Sequence, residues 1–88
     1  MLEYHAAFYP IEDGWYFIRV VDFPGVLSQG RNLKDARRMI KDALKMMVES
    51  YLDEGRSLPR PKRRVADRRA ERIEPIRVAV RVQSGVAV

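Results

Sequence analysis

Cysteine is absent from this 88-residue chain, which excludes a disulfide framework, a zinc knuckle and a thiol nucleophile and makes a reducing, cytoplasmic address the expectation. Histidine occurs once, so carboxylates would have to supply most of any metal site. Long apolar runs are missing too. The longest stretches free of Asp, Glu, Lys and Arg, such as 4–11 and 23–30, fall far short of the roughly 18 residues a membrane helix requires, so no membrane contact is expected. The amino terminus Met-Leu-Glu-Tyr-His has neither the basic region nor the apolar core of a signal peptide, which argues against secretion. Glycine is sparse and singly placed, without a G-x-G-x-x-G or Walker pattern; nothing cradles a nucleotide phosphate, and no cofactor is expected. A chain this short supports one core, so residues 1–88 read as a single domain and a two-lobed enzyme is excluded.

What is present points to a folded protein. Apolar residues make up 47% of the chain and charged residues 33%, with three Phe, four Tyr and one Trp, too many aromatics for a disordered tail. The net charge of +5 is unevenly placed. Residues 60–74 carry seven cations (Arg60, Lys62, Arg63, Arg64, Arg68, Arg69 and Arg72) against three acids, a local excess of +4 that leaves +1 for everything else. The chain is therefore a near-neutral fold with one basic segment.

Period-two alternation predicts a strand over 2–9, with Leu2, Tyr4, Ala6 and Phe8 on one face and Glu3, His5, Ala7 and Tyr9 on the other. Glu12-Asp13-Gly14 supplies hairpin chemistry. A second strand over 15–21 carries Tyr16, Ile18 and Val20 on one face and Trp15, Phe17, Arg19 and Val21 on the other. Asp22-Phe23-Pro24-Gly25 reads as a turn, and 26–29 as a short third strand. Asn32 is a good N-cap with Asp35 at N3, opening a long amphipathic helix. Its stripe is Leu33, Ala36, Ile40, Ala43, Met47 and Tyr51, flanked by Leu44, Val48 and Leu52, and Gly55 ends it. Leu58-Pro59-Arg60-Pro61 is extended, and the Arg-rich stretch through 74 reads as a surface connection. A last strand is expected over 76–82, with 83–88 unassigned. The fold class is thus α+β, order β-β-β-α-β: a small, mainly antiparallel twisted sheet with one helix on one face. A single helix covers a single face, so Trp15, Phe17 and Val21 form a candidate oligomer face, to be covered by loops or by another chain.

Catalytic chemistry finds little support. His5 has no Ser or Cys placed for activation, and Glu3, Asp13, Asp22, Asp35, Asp42 and Glu49 are scattered over strand, turn and helix instead of converging as a two-metal site requires. No catalytic, metal-ligating or cofactor-binding residue is expected. Glu12 and Asp13 serve a turn, Asp35 the helix start, and Asp42 and Glu49 can pair with Lys45 or Arg38 at helical spacing. Met39, Met46 and Met47 read as core of the helix stripe. The seven cations of 60–72 are candidate electrostatic contacts for phosphates or for carboxylates of a protein, and without an interleaved aromatic they offer no base readout.

Tyr4, the Asp13-Gly14 turn with its aromatic strand, Asp22-Phe23-Pro24-Gly25, Ser28-x-Gly30, Asn32-Leu33-x-Asp35-Ala36 and Gly55-x-x-Leu58-Pro59-x-Pro61 together resemble the HicB family of antitoxins. That family shows a D-L-P-G-C-x-S-x-G-D-T-x-E-E-A run and a helix ending in G-x-x-I-P-x-P. Val26 stands where the family often has Cys, Arg31-Asn32 replaces Asp-Thr, and Lys34-Asp35 replaces Glu-Glu, with Asn32 keeping the capping chemistry. The resemblance implies a degenerate ribonuclease H-like fold without catalytic carboxylates, a homodimer or larger homo-oligomer, and binding of a small HicA-like mRNA-cleaving toxin. Many members continue into a DNA-binding domain, whereas this chain stops after the last strand, which leaves operator binding open. The alternatives are a small nucleic-acid-binding module using the Arg-rich segment, with weak, non-specific affinity, and a residual nuclease.

Overall fold

The computed structural model describes residues 1–80, and within them the elements follow the expected β-β-β-α-β order. β1 (Leu2–Pro10) and β2 (Tyr16–Val20) pair antiparallel, with Ala6 opposite Val20 and Pro10 opposite Tyr16. One 3-10 turn at Glu12–Gly14 reverses the chain; Asp13 at φ 58° and Gly14 at φ 79° are both left-handed, which is why an Asp-Gly pair sits there. β3 (Leu27–Gly30) pairs with β2 and β4 (Arg72–Val78) with β1, giving the order β3-β2-β1-β4 with every neighbour antiparallel.

The helix α1 (Leu33–Asp53) is capped at both ends by its own sequence. The Asn32 side chain accepts the Asp35 amide at 2.8 Å, and the Asp35 carboxylate reaches back to the Arg31 amide at 3.0 Å. That amide, then the Arg38 guanidinium, hold the Asp35 carboxyl below its usual range. At the other end Gly55, at φ 70°, lets the Arg56 amide bond the Tyr51 carbonyl (2.8 Å) and its own amide bond Leu52 (3.1 Å), a Schellman closure.

Ala36, Ile40, Leu44 and Val48, spaced by four, form the buried ridge that packs on Tyr4, Ala6, Phe8, Ile18 and Val20 of the sheet. Leu33, Ala43, Met47 and Tyr51 flank that ridge and are only partly buried. Two expectations fail here: Leu52 is 42% exposed, although it continues the ridge spacing, because it lies at the last turn of the helix, and Met46 is 70% exposed because it lies about 200° around the axis from Leu44. At the helix start the packing is closest at Gly30, where an added Cβ would lie 2.4 Å from the Ala36 amide nitrogen. Only glycine fits.

β4 differs from the expected 76–82. It begins at Arg72, so the Arg-rich connection ends at 71, and it stops at Val78, which faces Leu2 at the start of β1: beyond that point the partner strand ends. Pro75, inside the strand, is tolerated because His5, its opposite residue, turns both backbone groups away from it, its amide to the Asp22 carboxylate at 2.8 Å and its carbonyl to the Val21 amide at 2.8 Å. Arg81, Val82 and the closing 83–88 lie outside the described residues.

Candidate interaction surface

The sheet face opposite α1 carries His5, Ala7 and Tyr9 of β1 beside Phe17 and Arg19 of β2, by strict alternation with the core residues. Leaving the helix, the chain runs as a strap from the core side, where Leu58 packs on the core, round to this face before entering β4. Hydrogen bonds fix the strap at several points. The Tyr4 hydroxyl donates to the Pro59 carbonyl at 2.7 Å. Asp22, only 4% exposed, accepts from the Lys62 amide at 3.0 Å, the His5 amide at 2.8 Å and His5 Nδ1 at 2.8 Å.

Further along, Asp67 accepts from the Tyr9 hydroxyl, from Arg19 at 2.8 Å and from the Arg69 amide at 2.9 Å, while Arg19 Nε donates to the Tyr9 oxygen at 2.8 Å. These partners, the Tyr9 hydroxyl foremost, hold the Asp67 carboxyl down at about 2. Burial, and then the bond to Asp67, push the Tyr9 phenol up. The strap ends where the Glu71 amide donates to the Phe8 carbonyl at 2.8 Å and its carboxylate accepts from the Tyr16 hydroxyl at 2.8 Å.

The candidate cations divide into two groups. Arg72 belongs to β4 and pairs with Glu71 and Glu74, and Glu74 is in turn gripped by Arg37 from α1 at 2.7 Å. Arg60, Lys62, Arg63, Arg64, Arg68 and Arg69 all lie on the strap, exposed and in no ion pair among the described residues. Of the candidate oligomer face, Phe17 is half-buried against Tyr9, with ring centroids 5.8 Å apart, and Val21 is half-buried just past β2. Trp15 is 37% exposed and shares a shallow depression with Ile11, Glu12 and Gln29. On this face the strap is bonded at Tyr9 and Arg19 through Asp67.

The scattered acids stay scattered. Glu3 pairs with Arg77 across β1 and β4 at 3.0 Å, Asp35 holds Arg38 at 2.7 Å, and Asp22 holds the strap. Arg38 is therefore engaged by Asp35 and not by Asp42. No three His, Asp or Glu side chains converge among the described residues, and no described helix is long and apolar enough to cross a membrane. Three features escaped the sequence reading: the Asp22 and Asp67 fixings, and Leu27, 57% exposed on the edge strand. Asp67 did leave a signal, as the lone acid among the cations of 60–69, with Val65 two residues before it and Ala70 three after.

Comparison with known proteins gives a consistent answer. A family model described as the HicB-like antitoxin of bacterial toxin–antitoxin systems matches residues 3–82. Antitoxin HicB 1 of Photorhabdus laumondii is 33% identical over 60 residues, 68% of this chain and 39% of that antitoxin, so the match takes in well under half of that relative's length. Among solved structures, the N-terminal domain of Burkholderia pseudomallei antitoxin HicB superposes with a TM-score of 0.73 at 20% identity, covering 90% of this chain and all of that one. One chain of a HicA3 and HicB3 toxin–antitoxin complex superposes with a TM-score of 0.60 at 22% identity, covering 69% of this chain and 71% of that one.

Proposed function

Because the chain belongs to the HicB-like antitoxin family, we propose that it is a non-enzymatic antitoxin that binds a small HicA-like, mRNA-cleaving toxin and blocks it by covering its surface. The observation that carries this is the family match over residues 3–82, which takes in all four strands, the helix and the strap. The likeness to a chain of a HicA3–HicB3 complex supports a toxin as partner. The carboxylates support binding over catalysis, since Glu3, Asp22, Asp35 and Asp67 are each engaged in holding local structure.

The protein also associates with itself. Ile11, Trp15 and Leu27 remain exposed near half-buried Phe17, and apolar surface of this kind gains from leaving water against a second copy. The decisive experiment mixes this protein with the product of a small basic reading frame beside its gene. A stoichiometric, salt-tolerant complex in which RNA cleavage by that product stops is the expected result; unimpeded cleavage in the presence of excess protein refutes the antitoxin role.

A further inference from the structure

We propose that residues 60–69 form a preordered surface that tracks the phosphate backbone of a nucleic acid, independently of toxin binding. The strap sorts its side chains by chemistry. Leu58, Pro59, Pro61, Val65, Asp67 and Ala70 are partly buried, and none is a cation. The exposed positions are 60, 62, 63, 64, 66, 68 and 69, and all but Ala66 are Arg or Lys. The single acid is spent on Arg19 and Tyr9, so the outward side presents six cations with no competing carboxylate of its own.

That pattern selects the partner. A protein interface needs an apolar centre with few charges, and between 60 and 69 no exposed side chain larger than Ala66 is apolar. Five of the six cations are arginine, whose planar fork grips phosphate oxygens in pairs. No exposed aromatic lies among them to stack a base, so the contact reads backbone and not sequence. The sequence reads this stretch only as a surface connection. In the structure its backbone is hydrogen-bonded at Pro59, Lys62, Arg69 and Glu71, so less ordering entropy is lost when phosphates bind.

The test measures binding of the full chain to a labelled 20-base-pair DNA, a 20-base-pair RNA and poly-glutamate of matched charge, by fluorescence anisotropy at 50 to 200 mM salt. Both duplexes carry the phosphates, and the tighter one identifies the source. With five or six contacts the slope of log affinity against log salt is about −5, a loss of about 10³-fold across that range. Replacing Arg63, Arg64 and Arg68 with Gln should make the slope shallower by about 2 to 3. Replacing Lys34, Lys41 and Lys45 of α1 with Gln removes the same charge elsewhere and should change affinity less than about 3-fold. Circular dichroism confirms that both variants fold. Equal losses in the two variants, no binding to either duplex at 50 mM salt, or poly-glutamate binding as tightly as nucleic acid would each overturn the proposal, the last in favour of an acidic protein.

Discussion

Replacing Asp22 with Ala should release the strap and destabilise the whole domain. The carboxylate is buried and accepts from the His5 amide, His5 Nδ1 and the Lys62 amide at 2.8, 2.8 and 3.0 Å. Hydrogen bonds to a charged acceptor contribute about 1.5–3 kcal/mol each, but these donors are only part-buried and water can replace some of what is lost. A net loss of about 2–4 kcal/mol follows, and for a domain of this size each kcal/mol shifts the melting temperature by roughly 4–8 °C. Thermal melts followed by far-UV circular dichroism should therefore fall by about 8–32 °C. Asn retains one acceptor oxygen and should lose about half as much. Amide exchange locates the effect: Lys62 should lose protection in the Ala variant, and more than residues of α1. If Asp22→Ala melts within about 2 °C of the parent, or Lys62 stays protected, the carboxylate does not anchor the strap and the reasoning fails.

Gly30→Ala should cost about 1–3 kcal/mol or more in urea unfolding, since the added methyl meets the Ala36 backbone, whereas Gly14→Ala, with open space around it, should show only the smaller strain of its positive φ. Asp67, held at about 2 against an ordinary value near 4, stabilises the folded state above about pH 4 and loses that contribution as pH falls toward 2. The Arg69 amide resonance should accordingly be constant from pH 7 to 4 and shift only below, and Asp67→Asn should remove that step; a midpoint near 4 would contradict the geometry. Light scattering should show a dimer or larger species at micromolar concentration that Phe17→Lys weakens, because a buried ammonium would lack a partner; a clean monomer of the parent refutes self-association. Purified protein with magnesium or manganese should leave RNA intact, and cleavage that Glu3→Ala abolishes while the fold is kept would establish a nuclease.

Local chemistry determined a good part of this protein before any fold existed. Alternation over 2–9, the Asp13-Gly14 turn, the Asn32 cap and the Gly55 stop act over a few residues, through backbone sterics and nearest-neighbour hydrogen bonds, and the structure reproduces them with shifts of a residue or so. Contacts between distant segments decided the rest. Pro75 spoke locally against a strand starting at 72, yet pairing with β1 extends the strand through it, because His5 directs its backbone groups away. Leu52 and Met46 fit an apolar helix pattern, but Leu52 falls on the last turn of the helix and Met46 on the side away from the Ala36–Ile40–Leu44–Val48 ridge that meets the sheet. Most of all, the Arg-rich stretch looked like a solvated loop: nothing within it shows that Asp22, 40 residues upstream, and Tyr9, 58 residues from Asp67, are waiting on the sheet to hold it. Periodicity can tell which side of a segment is apolar. Which distant acid meets which amide is settled only when the sheet has closed and brought them together.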